Sequence, residues 1–155
     1  MNRHTLLYIY IVLCLGISCV ACTEGTVYNQ YEPTPLNGWE RNDTITFQTE
    51  AMESAGNYLE EVGIRINADY PFASLSLVVD QTVTPSNKTY TDTLTCRLFD
   101  DSGKALGNGI SLYQYILPLT TLKLDKGECV RVAIHHCMKR EILPGIMDVG
   151  VKLSH

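Results

Sequence analysis

Apolar and polar residues alternate one by one along most of the chain beyond residue 38. Ile45 and Phe47 lie on one side of a short run, with Thr44, Thr46 and Gln48 on the other. Val62, Ile64 and Ile66 alternate with Gly63, Arg65 and Asn67, and Leu75, Leu77 and Val79 with Ser76, Val78 and Asp80. From Tyr90 to Phe99, Tyr90, Asp92, Leu94, Cys96 and Leu98 oppose Thr91, Thr93, Thr95, Arg97 and Phe99. Val130, Val132 and Ile134 alternate with Arg131, Ala133 and His135, and Val149, Val151 and Leu153 with Gly150, Lys152 and Ser154. Side chains of a strand point alternately to its two faces, so each run describes a strand with one buried face. Between the runs lie Asp69-Tyr70-Pro71, Pro85-Ser86-Asn87, Asp100 to Gly103, Asp125-Lys126-Gly127 and Leu143-Pro144-Gly145, all residue types that favour turns. Short alternating strands joined in this way predict an all-β fold: an antiparallel two-sheet β-sandwich, jelly-roll-like. Two segments break the pattern. Thr49 to Tyr58 reads as a loop or a single turn, because Gly56-Asn57 would stop a helix. Gly107 to Leu119 is ambiguous, with Ile110, Leu112 and Tyr113 at the spacing of a helical turn across one end of the sandwich.

The first residues follow another plan. Arg3 and His4 precede an uncharged apolar run from Leu6 to Ile17, and the small residues Ser18 and Ala21 each stand directly before a cysteine. This is the layout of a secretory signal peptide. Its end resembles the bacterial lipobox, whose cysteine takes a diacylglycerol and becomes the new N-terminus. Cys22 and Cys19 compete for that role. Cys22 is favoured, because Ala21 suits the peptidase and the polar Thr23-Glu24-Gly25 follows at once. The apolar run is short for a membrane span, which needs about 20 residues. The expected organisation is a signal peptide over 1–21, a lipidated N-terminus and extended tether over 22–37, and the sandwich over 38–155. Val27, Tyr28 and Tyr31 of the tether could dock back on the domain.

Removing residues 1–21 leaves 134 residues, enough for one domain with its own core. That piece carries one Arg and no acid, so the net charge goes from −5 to −6. An acidic domain argues against nucleic acid, whose phosphates demand a basic face, and against a polybasic membrane-binding surface. Contact with the bilayer is expected through acylated Cys22; acyl chains contribute about 0.8 kcal/mol per buried CH₂, and stable anchoring takes more than one chain.

Of six cysteines, Cys96, Cys129 and Cys137 remain once the signal and Cys22 are set aside. They could form one disulfide beside a free thiol or stay as three thiols. His135-His136-Cys137, with Cys129 nearby, invites a metal reading. On one strand, however, His136 would face the core, and Cys129 and Cys137 would lie about 26 Å apart, too far for one ion. Two ordinary strand histidines are expected, and no metal or other cofactor. Asp100-Asp101-Ser102-Gly103 lacks the spaced ligands of a calcium loop and reads as a polar turn. Asp148 is expected to accept backbone hydrogen bonds at a strand start. No serine lies in a nucleophile-elbow context and no Gly-rich phosphate loop exists, so catalysis has no positive support. Trp39 and the tyrosines could form a platform for sugar rings, or serve the core. Asp43-Thr44-Ile45 and Asp92-Thr93-Leu94 match short acceptor patterns for protein O-glycosylation, and both are also ordinary strand sequence.

Several short motifs in order resemble the gliding-motility lipoprotein family GldH. They are Cys22; Val27-Tyr28 and Tyr31; Gly38-Trp39 with Asp43 and Phe47; Ile66-Asn67 with Asp69-Tyr70-Pro71-Phe72 and Leu75; Asp92-Thr93-Leu94; Gly103 with Gly107 and Gly109; Lys126-Gly127; Met138; and Gly145 to Val151. The resemblance implies an outer-membrane lipoprotein of gliding bacteria or their non-gliding relatives, working beside the gliding motor and its secretion system. It carries over no catalytic or ligand-binding residue. The mature cysteines and the histidine pair lie outside its pattern. The function expected is docking onto envelope proteins of a motility or secretion assembly, without catalysis. The alternative is a carbohydrate-binding sandwich with a glycan partner. Replacing Cys22 by Ser is expected to abolish labelling by a clickable fatty acid, and Cys19→Ser to leave it. The reverse result would move the lipid to Cys19.

Overall fold

A computed structural model describes residues 25–155, so the signal peptide and both candidate lipid cysteines lie outside the described residues. Within them run β1 (Thr26–Pro33), β2 (Trp39–Glu40), β3 (Ile45–Gln48), β4 (Gly56–Asn67), β5 (Ser74–Thr84), β6 (Lys88–Arg97), β7 (Leu112–Leu124), β8 (Cys129–His136), β9 (Ile142–Leu143) and β10 (Ile146–Ser154). Every pairing is antiparallel. One sheet has the order β1-β10-β4-β7 and the other β3-β8-β5-β6, with β2 and β9 forming a two-stranded ribbon. Apart from that ribbon, this is the eight-strand order of a jelly roll.

The alternating runs meet where their patterns require. Val62, Ile64, Ile66, Val149, Val151 and Leu153 line the inner face of the first sheet, and Leu75, Leu77, Val79, Val130, Val132 and Ile134 that of the second, all buried. Burial of such side chains contributes roughly 1.5–3 kcal/mol each, before conformational entropy is set against it.

Two segments differ from the sequence reading. The ambiguous stretch is no helical turn: residues 107–111 are loop, and from Leu112 on it is strand, β7 running thirteen residues beside β4. Its alternation is hidden by a β-bulge. Glu60 pairs with Thr120 but Glu61 with Pro118, so Leu119 is an extra residue on β7. The bulge reverses the inward phase, from Tyr113, Tyr115 and Leu117 before it to Leu122 and Leu124 after it. Pro118 is tolerated because β7 is an edge strand.

The tether read over 22–37 also differs. Thr26–Pro33 is an edge strand, paired with β10 from Thr26 opposite Ser154 to Pro33 opposite Asp148. Thr34 then donates its amide to the Met147 carbonyl at 3.0 Å. The stretch looks like a linker because only Tyr28 and Tyr31 of β1 are even partly covered. An edge strand can be this polar, since its binding to the sheet comes from main-chain hydrogen bonds. Of the stretch read as a loop from Thr49 to Tyr58, residues 49–55 are loop, pinned where the Met52 amide donates to the Glu128 carbonyl at 2.8 Å, while Gly56 to Tyr58 already belong to β4.

Polar groups also lie inside. Glu60 of β4 and Gln81 of β5 point inward from opposite sheets, both fully buried. Gln81 Nε2 donates to Glu60 Oε2 at 3.0 Å and to Asp92 Oδ2 at 3.1 Å. Glu60 Oε1 and Gln81 Oε1 have no partner. Burial pushes the Glu60 carboxyl from 4.5 up to about 7; the Gln81 bond opposes this and the Asp92 charge adds to it. Between those two values the folded chain holds a proton that the unfolded chain releases. The contribution of Glu60 to stability is therefore greatest below about pH 4.5 and falls as pH rises to 7, by roughly 3 kcal/mol in all. Urea unfolding at pH 5 and pH 8 is expected to show this loss in the native chain and to lack it in Glu60→Gln. A loss of equal size in the variant would place its origin elsewhere.

Candidate functional site

On the outer face of the first sheet two glycines stand side by side, Gly63 of β4 paired with Gly150 of β10. Paired glycines in central strands leave a strip of backbone with no side chain over it. Tyr31 fills the strip. It pairs with Gly150 from the edge strand β1, and its side chain lies over both glycines. A Cβ at Gly150 would come within 2.6 Å of the ring, and one at Gly63 within 2.2 Å of the hydroxyl, so the ring needs glycine at both positions. Gln114 Nε2 of β7 donates to that hydroxyl at 3.3 Å. One tyrosine thus crosses the whole four-stranded sheet.

Charged groups are laid around it. The Arg65 guanidinium lies 4.0 Å from the centre of the Tyr31 ring and 3.7 Å from the Asp148 carboxylate. A cation held over an aromatic face in a partly exposed place contributes about 0.5–1 kcal/mol. On the other side of the tyrosine, Lys152 pairs with Glu61 at 2.9 Å. Beyond Arg65, the Asn67 side chain accepts from the Asp69 amide at 2.9 Å, and its Nδ2 lies 3.5 Å from the Met147 sulfur. Pairing places Ile116 beside Gly63, and Leu112 beside Asn67. Ile116, Leu112, Leu59 and Met147 are exposed. The face therefore combines an arginine, a tyrosine and a methionine, residue types enriched at protein interfaces, with exposed aliphatic groups and two ion pairs. It holds no nucleophile beside a base. Among the described residues, no group of three or more His, Cys, Asp or Glu could hold a metal ion.

The residues singled out in the sequence are dispersed. Trp39 is buried, not a platform: it packs in the core, and its Nε1 donates to the Asp43 carbonyl at 2.9 Å. The sugar-stacking role read for it is thereby corrected. Tyr58, Tyr70 and Tyr115 are buried as well. His136 faces the interior, its ring edge-on to Trp39 with centroids 5.3 Å apart. Its Nε2 lies 3.0 Å from the Trp39 carbonyl, which can only accept, so Nε2 carries the hydrogen. Burial first, and then the Arg41 charge, pull its pKa below the usual histidine value against the Trp39 bond. Cys96, Cys129 and Cys137 are free thiols, the first buried and the last exposed. Asp100 Oδ1 accepts from the Ser102 amide, the Ser102 hydroxyl and the Lys104 amide, which closes a turn and holds the carboxyl below its usual value. Asp148 faces Arg65 rather than capping a strand. Thr44 and Thr93, in the two acceptor patterns, are both exposed. The sequence reading missed the Tyr31 arrangement. Its signal was a glycine at the outward position of two separate alternating runs.

Comparison with known proteins finds a family and relatives that match most of the chain. The model of the family described as GldH lipoprotein matches residues 26–153. The gliding motility lipoprotein GldH of Flavobacterium johnsoniae is 31% identical over 151 residues, covering 93% of this chain and 94% of that protein. A GldH homolog of Christiangramia forsetii is 25% identical over 143 residues, 86% of each. Among solved structures, a carbohydrate-binding module specific for non-crystalline cellulose aligns at TM-score 0.45 and 7% identity, over 81% of this chain and 70% of that one. A protein of Sulfurospirillum deleyianum aligns at TM-score 0.43 and 11% identity, over 83% and 98%. Scores below 0.5 carry neither likeness to a ligand or a partner.

The fit of Tyr31 on its glycines predicts a strong coupling. Gly63→Ala and Tyr31→Ala should each destabilise the domain, and the double variant should cost less than their sum by about 1–2 kcal/mol in urea unfolding. Simple additivity would show that the ring does not depend on the glycine.

Proposed function

The chain belongs to the GldH lipoprotein family, and on that premise we propose that it is an outer-membrane lipoprotein, acylated at Cys22 after loss of residues 1–21, that docks without catalysis onto envelope proteins of a motility or secretion assembly. The observation that carries this reading is the outer face of the β1-β10-β4-β7 sheet. Arg65, held between Tyr31 and Asp148, is presented there among the exposed Leu112, Ile116 and Met147. A partner seated on this face would remove those aliphatic groups from water. It would meet an arginine that the sheet already holds in place, so little side-chain freedom is lost on binding. The lipid supports the same reading, because anchoring confines the domain to one surface and raises the effective concentration of membrane partners.

The test is recovery of partners from solubilised membranes of the native host with the full lipidated chain. Ile116→Asp is expected to lower recovery of specific partners about tenfold, since a carboxylate in the centre of an interface costs more than 1.4 kcal/mol. Its melting temperature should match that of the native chain, because Ile116 is 52% exposed. Thr93→Asp, on the exposed side of the other sheet, should leave recovery unchanged. Unaltered recovery with both Ile116→Asp and Leu112→Asp would remove this face from the reading.

A further inference from the structure

Residues 23–25 are all that separates Cys22 from the first residue of β1. Four Cα-to-Cα steps reach at most about 14 Å, whatever their conformation. Thr26 is fixed opposite Ser154, and the His155 amide donates to the Gly25 carbonyl at 2.8 Å. The N-terminal strand thus begins at the same end of the sandwich at which the chain terminates. Strand directions place the 49–55 loop and the turns at 85–87 and 125–128 at that end too. A cleft of about 400 Å³, lined in part by Gly25, Glu53, Tyr58 and His155, opens there. The opposite end carries residues 69–72, 100–104 and 138–142. The twelve residues of β4 put it roughly 37 Å away at the usual strand rise.

An acylated cysteine lies at the headgroup level of its bilayer, and a reach of about 14 Å cannot lift a body of this height clear of it. We propose that the end of the sandwich carrying Thr26, His155, the 49–55 loop and the turns at 85–87 and 125–128 rests on the headgroup surface of the bilayer that holds Cys22, with the outer face of the β1-β10-β4-β7 sheet standing upright beside it. This rests on the acylation of Cys22 proposed above. The charges of that end are mixed, Glu50, Glu53 and Asp125 against Lys88 and Lys126. With no basic excess, the short tether holds the contact, not attraction to anionic lipid. Arg65 and Ile116 then face sideways, parallel to the membrane plane, and the partner they fit is a protein embedded in, or lying against, the same membrane.

Full-length acylated chain in phosphatidylethanolamine–phosphatidylglycerol vesicles, with a nitroxide on a fraction of the headgroups, tests the orientation. A fluorophore is placed at Lys126→Cys or at Lys104→Cys, each with Cys129→Ser and Cys137→Ser, since both of those thiols are at least partly exposed. Both lysines are exposed, at opposite ends, and Cys96 is buried. Strong quenching is expected at Lys126→Cys, unchanged by high salt, with none at Lys104→Cys above the nitroxide-free control. Equal quenching at the two sites, or stronger quenching at Lys104→Cys, overturns the orientation while leaving the anchor intact. Failure of the chain to float with the vesicles overturns the anchor, and the orientation with it.

Discussion

Between Thr26 and Pro33 the chain covers little apolar surface beyond Tyr28 and Tyr31, yet it is held as a strand because β10 offers it a free edge. That pairing decides much else. It makes β10 a central strand, covered on one side by β1 and on the other by β4. It brings Tyr31 to the one place where two adjacent strands leave bare backbone, and the ring then ties all four strands of the sheet on its outer side. Without β1, Gly63 and Gly150 would be a weak, unfilled seam in the middle of the sheet, and Arg65 would lose the ring on which it lies. The polar strand and the glycine pair are two halves of one solution.

The interior uses polar contacts where layers must be located relative to one another. Gln81 reaches from one sheet to Glu60 in the other and to Asp92 on the neighbouring edge strand. His136 reaches from β8 to the main chain of Trp39, which joins the small ribbon to the sandwich. Hydrophobic contacts alone would allow these layers to slide. A single hydrogen bond in a dry interior has a defined length and direction, and a displaced partner there stays unsatisfied.

The six alternating runs were legible because each keeps one inward phase; five bury most of that phase, while the Tyr90 to Phe99 run buries only Cys96 and Leu98, with Tyr90 exposed and Leu98 and Phe99 beyond the end of β6. β7 was not legible, since a bulge at Leu119 reverses the phase halfway along and any fixed period fits only half of it. β1 was legible only as Tyr28 and Tyr31 docking back on the domain; that the whole stretch is a strand rests on main-chain pairing, of which side-chain pattern carries no trace. The outer-face arrangement needs five residues from four strands, separated by up to 119 positions between Tyr31 and Gly150. Periodicity marks which side a residue faces but not which neighbours it has. Trp39, conversely, drew attention by its chemistry and proved to be core.

The edges of the two sheets have a consequence for crowding. Lipoproteins confined to one membrane meet one another at high local density, and an open sheet edge is a template on which a second copy could extend the sheet. Here β7 is interrupted by Pro118 and by the Leu119 bulge, which remove a donor and bend the edge. β1 ends in Pro33, and β3 is four residues long. β6 shows lysine and threonines to solvent. Such edges offer a second copy no continuous template, so crowding does not make one molecule extend the sheet of the next.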